Sequence, residues 1–302
     1  MLYRADFAGS REHCGRAVAQ YDNRQRTRLW AALTGQDSGV THRCYLALAL
    51  WHLGYPDQAL AVSRELVALA RQLAHPFSLC YALHHTAWLM QHCRLGDATV
   101  AAGEEAHRIG AEQGFTMWRI TGLMYRAGGL VLQGRAAEAI PLLHQGLDEY
   151  RSAGCGLALP YYLSILGDAY IQTGRFDQAY KALDEALTIA EKNEDLFQEA
   201  ELHRLMGELA LAQSPGNDAI AEARFESALA IARRQQSRAW ELRTTLSLAR
   251  LWRQHGRTAD ARERLAAAHA WFTEGFGTPD LADAQAMLEE QALKRESVNP
   301  LD

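Results

Sequence analysis

The chain is 302 residues long, with 31 basic and 36 acidic side chains and a formal net charge of -5. This mild negative balance, spread without runs of like charge, argues against nucleic acid as a direct partner. Arg4, Asp6, Arg11 and Glu12 interrupt any secretory signal pattern at the start, and the longest apolar stretch, Cys44 to Leu53, contains His52 and is too short to span a bilayer.

Taken in chain order, the sequence repeats one pattern. Ala5, Ser10, Cys14, Ala17 and Tyr21 have the spacing of a tight turn followed by a helix with an apolar stripe, and no first helix precedes them. Ala47, Gly54 and Ala59 come next, then Ala87, Arg94 and Ala106, with arginine where the turn glycine is expected. Ala127, Gly134, Ala139 and Gly146 follow. The clearest unit is Gly167 to Ala190, in which Leu163, Leu166, Gly167 and Tyr170 share one face of a first helix and Gly174 breaks it. Ala179, Leu183 and Ala186 then form the inner stripe of a second, antiparallel helix. The unit with Gly207 carries the insertion Ser214-Pro215-Gly216-Asn217-Asp218 before Ala221 and Ala228. Ala249, Gly256, Ala261, Leu265 and Ala268 complete the series. Leu281 to Leu293 reads as an amphipathic closing helix, and Lys294 to Asp302 as a flexible polar tail.

Two helices patterned in this way cannot bury their apolar faces alone, so neighbours must stack. The expected fold is all-α: a right-handed α-solenoid of about six to seven antiparallel helix pairs over residues 1–293, with a period of roughly 40 residues. That period exceeds the 34 residues of the tetratricopeptide repeat (TPR), whose pattern the units otherwise resemble. Pro76, Pro160 and Pro279 are expected in linkers ahead of new first helices. An array that opens with half a unit would expose an apolar face, so the chain is expected to be the C-terminal piece of a longer protein or to have that end covered by a partner.

The sequence offers little chemistry. It contains no G-x-x-x-x-G-K-[ST] loop, no G-x-G-x-x-G after a strand, no H-E-x-x-H and no G-x-S-x-G elbow, so no catalytic residue, cofactor site or metal site is assigned. Cys80, His84, His85, His92 and Cys93 share one helix, but His92 lies about 120 degrees around it from Cys80, which favours core or groove histidines over a zinc site. The acid pairs Glu104-Glu105 and Glu289-Glu290 read as solvated faces, and the basic stretch Arg233 to Arg238 as a helix end. Cys14, Cys44, Cys80, Cys93 and Cys155, odd in number and scattered, read as reduced core residues of a cytoplasmic protein. Only Lys181, Lys192 and Lys294 are lysines, an arginine bias expected of a GC-rich bacterial genome.

Function is then expected on the concave wall lined by first helices. Counting from each turn, its inward positions are Cys44, Tyr45 and Trp51, then His84, His85 and Trp88, then Met124 and Tyr125, then Tyr161, Ser164 and Asp168, and finally Arg204, Glu208, Arg243 and Arg250. A one-residue register error turns a side chain by ~100 degrees, so some of these aromatics belong to the core instead. The wall passes from aromatic to charged, which suits an oriented peptide or a packed domain. It lacks the lysine and asparagine with which certain tetratricopeptide domains clamp a C-terminal carboxylate.

The stretches GQDSGV (Gly35 to Val40), LALALWHLGYPDQALAVSRELVALARQLAHPFSL (Leu46 to Leu79), EAELHRLMGELALAQ (Glu199 to Gln213), ELRTTLSLARLWRQHGR (Glu241 to Arg257) and WFTEGFGTPDLADAQAMLEE (Trp271 to Glu290) resemble the C-terminal repeat region of large bacterial signalling proteins. In that family a class III adenylate/guanylate cyclase, a kinase or a DNA-binding module precedes a nucleotide-binding ATPase module and then the repeats. LYRADFAGSREHCGRAVAQYD (Leu2 to Asp22) resembles an internal segment of the family. The resemblance implies a noncatalytic sensory or protein-interaction scaffold whose partners are protein or peptide, including cyclase or ATPase domains, with no membrane and no direct nucleic-acid contact. The alternative is a peptide- or small-molecule-binding receptor domain like that of some transcriptional regulators.

Overall fold

Alanine and glycine punctuation sets the helix boundaries. The computed structural model describes residues 1–21, 35–214 and 216–298. Asp22, Pro215 and residues 299–302 of the expected tail lie outside the described residues. Among the described residues there are fourteen α-helices and no strand. They are α1 (Phe7–Ala19), α2 (Ser38–His52), α3 (Pro56–Gln72), α4 (Pro76–His92), α5 (Gly96–Gln113), α6 (Thr116–Leu132) and α7 (Ala136–Ser152). The series continues with α8 (Leu159–Gln172), α9 (Phe176–Asn193), α10 (Glu199–Gln213), α11 (Asp218–Arg234), α12 (Arg238–Gln254), α13 (Thr258–His269) and α14 (Pro279–Val298). Lys294 to Val298, expected in the tail, continue α14.

The turns form where the sequence places them. Gly54, Gly134, Gly174 and Gly256 have φ between 71 and 87 degrees, and Arg94 and Ala5 take the same left-handed conformation at 58 and 57 degrees. A residue with a Cβ is strained there, so packing around Arg94 and Ala5 must hold them. Pro76 and Pro279 open α4 and α14, and Pro160 lies in the first turn of α8, positions whose N–H would go unbonded in any helix. Asp37 caps α2 by accepting from the Val40 N–H at 2.9 Å, and also accepts from the Tyr21 hydroxyl at 3.1 Å.

Each first helix packs on the following second helix and on the first helices of adjacent repeats, as a solenoid requires. In the clearest unit Ala179, Leu183 and Ala186 are completely buried, and a Cβ on Gly167 would lie 2.6 Å from Leu183 Cδ2. The closest backbone approach is elsewhere, between α5 and α6. A Cβ on Gly110 would come within 2.5 Å of the Arg119 amide nitrogen, and one on Gly122 within 2.5 Å of the His107 nitrogen. Second helices are tied along the outer surface by ion pairs such as Arg71 with Glu105 at 2.8 Å and Arg151 with Glu185 at 2.7 Å. These exposed pairs contribute ~0–1 kcal/mol each. The predicted solvated acid pairs also hold arginines: Glu104 pairs with Arg126 at 3.1 Å and Glu290 with Arg253 at 3.1 Å.

The solenoid curves until its ends meet. Trp51 at the end of α2 packs edge-on against Trp240 of α12, ring centroids 4.8 Å apart, and His52 Nδ1 lies 3.1 Å from Ser237 Oγ. Beside them Arg94 donates to Asp280 at 3.0 Å and to Asp283 at 2.8 Å, and the Gly275 N–H donates to Asp57 at 2.9 Å. The initial half unit is therefore not bare. Helix α1 packs on α2 with Phe7 stacked on His52 at 3.8 Å, and the turn Leu2–Arg4 enters the axis. There the Leu196 N–H donates to the Tyr3 carbonyl at 2.7 Å, and Arg4 pairs with Glu194 at 2.6 Å. The opening turn thus contacts residues near 195, while α1 itself packs on the neighbouring α2.

Among the described residues no helix is long and apolar enough to cross a membrane. All five cysteines are free thiols, four of them buried and Cys155 partly buried against the edge of the core.

Candidate functional site

The predicted wall residues separate into two groups. Trp51, His84, His85, Trp88, Met124, Tyr125 and Tyr161 are buried, and Tyr45 is half-buried. Trp51 stacks on His92 with centroids 4.5 Å apart, and Trp88, only 1 % exposed, donates its indole N–H to His92 Nε2 at 3.0 Å. Trp88 also packs against Tyr161 and Phe197, with Tyr3 closing the same cluster. His84 Nδ1 lies 3.1 Å from Thr121 Oγ1, and His85 Nδ1 donates to the Tyr81 carbonyl at 2.9 Å. Tyr45 accepts from the Tyr81 hydroxyl at 3.1 Å and meets His85 edge-on.

This half is core, which corrects the expectation of an open aromatic groove. Trp51, Trp88 and Tyr161 meet rings from other repeats, whereas Met124 faces the second helix of its own unit, where a Cβ on Gly146 would collide with its Cγ. Tight curvature brings opposite walls together, and Tyr3 and Phe197 fill what remains. Burial keeps the imidazoles neutral: it pushes His85 down to about 4 and holds His52, His84 and His92 well below the usual histidine range. Among the described residues no three or more His, Cys, Asp or Glu side chains converge to hold a metal ion.

The charged half stays open. A cavity of about 320 Å³ lies between α4, the end of α6, α8, α10, α12 and the start of α14, and Ser164, Asp168, Arg204, Arg243 and Arg250 are among the residues that line it. Glu208 joins them through Arg204. Arg204 is the hub: its Nε and Nη2 take both oxygens of Glu201 at 2.7 and 2.8 Å, and its Nη1 donates to Glu208 at 2.8 Å and to Ser247 at 3.2 Å. Arg243 donates to Asp280 at 2.8 Å and to the His92 carbonyl, and its guanidinium lies 4.8 Å over the Trp240 ring. Arg250 is exposed and holds Asp283 at 3.2 Å.

Electrostatics differ from one acid to the next. Burial alone would raise the Asp280 pKa, but Arg243 and Arg94 hold it below the carboxylate range. Asp168 is raised, chiefly by burial, with Glu201 and Glu208 adding to the effect and Arg204 opposing it. Sequence reasoning missed Arg94, Gln198, Glu201, Ser247 and Asp280 as parts of this site. Glu201, Arg204 and Glu208 stand three and four residues apart on one helix, a signal that was available.

Comparison with known proteins fits this architecture. Residues 157–234 match the tetratricopeptide repeat family model, and residues 34–110 match the model of anaphase-promoting complex subunit 5. No curated protein matches the chain. Among solved structures, the apo form of RapI is 11% identical over 94% of this chain and 92% of its own, with a TM-score of 0.57. A Rap protein complexed with competence and sporulation factor is 13% identical, covering 97% of this chain and 94% of that one, at a TM-score of 0.49. A putative kinesin light chain from Podosopora anserina, with nearly identical TPR-like repeats, is 21% identical over 63% of this chain and 92% of its own, at 0.41. None of these descriptions names a cyclase or an ATPase. The helix pairs, their turns and the RapI similarity together establish an α-solenoid of TPR-like repeats.

Proposed function

We propose that this chain is a noncatalytic binding module that captures a peptide or a protein segment at the polar cavity. The observation that carries the reading is the cavity itself, about 320 Å³ in volume and walled by charged side chains from Arg94 in an early repeat to Asp280 near the end of the chain. Charged groups cannot be closed over like the aromatic half, because each would need a counterion and hydrogen bonds in place of water. A ligand with complementary charge supplies both. The sequence blocks shared with bacterial signalling proteins support a cytoplasmic setting as a regulatory module beside ATPase or cyclase domains.

A volume of about 320 Å³ also supports a second reading, a receptor for a small molecule or for the end of a chain. A thermal-shift screen of metabolites against short peptides separates the two. For the noncatalytic reading, the purified chain is expected neither to hydrolyse ATP nor to form cyclic nucleotide. Turnover that copurifies with the chain through successive columns overturns it.

A further inference from the structure

Charge in the cavity is out of balance. Three carboxylates surround the Arg204 guanidinium: Glu201 and Glu208 bind it directly, while Asp168 feels its charge but has no ion-pair partner among the described residues. The remaining guanidiniums are committed elsewhere. Arg243 is held by Asp280 and only approaches Glu201 at 3.9 Å, and Arg94 and Arg250 hold Asp283. Gln172 is the hydrogen-bond neighbour of Asp168 and brings no charge. Beside this acid, Gln198 is 3 % exposed; its Nε2 donates to Ser164 Oγ at 3.1 Å, and its Oε1 accepts nothing. A part-buried carboxylate whose cationic neighbour is already held by two other acids, and a buried acceptor without a donor, both leave bonding capacity unused. Together they call for a positively charged donor of N–H bonds.

An inorganic cation does not meet that need, because Glu201 and Glu208 are occupied by Arg204 and no metal-holding group of acids and histidines forms among the described residues. We propose that the cavity binds the cationic group of an organic ligand, an ammonium or guanidinium such as a lysine or arginine side chain of a peptide, with Asp168 as its counterion and Gln198 as a further acceptor. The proposal rests on the peptide-capture reading above and narrows it to one chemistry. Glu201 and Glu208 keep Arg204 in place, so the arriving cation meets Asp168 without displacing a protein guanidinium.

The test is affinity selection on the full chain with three hexapeptide pools that share one fixed position, occupied by arginine, glutamine or glutamate, and with free L-arginine as a separate probe. The arginine pool is expected to be retained about tenfold better than the glutamine pool, the size of a charge-assisted hydrogen bond. Asp168→Asn is expected to abolish that preference and Asp168→Glu to restore part of it. The same Asp168→Asn variant is expected to raise the thermal midpoint of the unliganded chain, because it removes a part-buried charge that has no ion-pair partner of its own; a purely structural partner would lower it, which overturns the proposal. Free L-arginine bound as well as the arginine pool, and lost with Asp168→Asn, supports the site and identifies a small molecule as the source of the cation. Equal retention of the three pools, or a preference that survives Asp168→Asn, overturns the cationic site and leaves peptide capture standing. Retention of no probe at all overturns both.

Discussion

The inner wall has two halves, an aromatic one built mainly by α2, α4 and α6 and a charged one built mainly by α8, α10 and α12, and they end in opposite states. Around Trp88 the wall closes on itself: indoles, phenols and neutral imidazoles pack without an unpaired charge, and Tyr3 and Phe197 complete the filling. Around Arg204 the wall stays apart, because guanidiniums and carboxylates keep water or a ligand within reach. The difference shows that inward-facing position alone does not make a groove. What decides is whether the facing side chains carry charge: neutral rings close over one another, whereas ionised groups keep water or a ligand within reach.

The largest expected effect tests the closed half. Trp88→Ala should cost ~3–5 kcal/mol, as truncation of a buried aromatic does, read as a shift of the urea midpoint. A cost below ~1 kcal/mol would make Trp88 a groove residue and break the contrast between the halves.

The share of a single buried histidine in acid destabilisation is somewhat smaller and has a definite sign. A histidine whose folded pKa lies below its unfolded value leaves the unfolded chain to bind the extra proton, so its contribution is complete above about pH 6.5 and lost as pH falls toward the folded value. For His85, pushed down to about 4, the loss between pH 7 and 5 is ~2 kcal/mol, and His52, His84 and His92 shift in the same direction. Asp195 acts oppositely: burial raises it to about 6, so it adds stability as pH falls from above 6 toward its unfolded value near 4. Urea midpoints at pH 7, 6 and 5 should fall, and less steeply in His85→Gln. A flat profile would show that the aromatic half is wetter than its packing indicates.

The smallest effect belongs to the rim. Arg94→Gln should cost ~1 kcal/mol or less, since Arg94 is partly exposed and Asp280 keeps Arg243. Faster amide exchange at the end of α4 and in α14 is the expected trace. A larger loss would show that the seam depends on this arginine more than on the Trp51–Trp240 contact.

Much of this was legible from residue spacing. The offset between Gly174 and Ala179 located the helix pairs, and the same offset assigned a turn to Ala5, which takes the left-handed conformation without being glycine. Spacing also brought Asp168, Arg204, Arg243 and Arg250 to one wall. It could not show closure, because Arg94 and Asp280 are 186 residues apart and no local pattern records how many repeats complete a turn. For the same reason Trp51, Trp88 and Tyr161 read as groove: periodicity tells which side of a helix faces inward, not what faces it. The intimate packing of α5 on α6 was missed as well, although Gly103 and Gly110 stand seven residues apart on one face.

The seam between α2 and α12 bears on how the chain comes apart. A linear array of repeats has two free ends, and each unit's stability is its own plus that of its neighbours, so ends fray and opening spreads inward. Here early repeats and late ones are neighbours through Trp51 and Trp240, His52 and Ser237, and Arg94 and Asp280. Fraying at either end must first break the seam, which couples residues distant in sequence and makes unfolding more nearly all-or-none than in an open solenoid. A ligand seated in the cavity touches both sides of that seam, so its binding would set the ease of opening for the whole ring, and the module would report occupancy as mechanical stiffness.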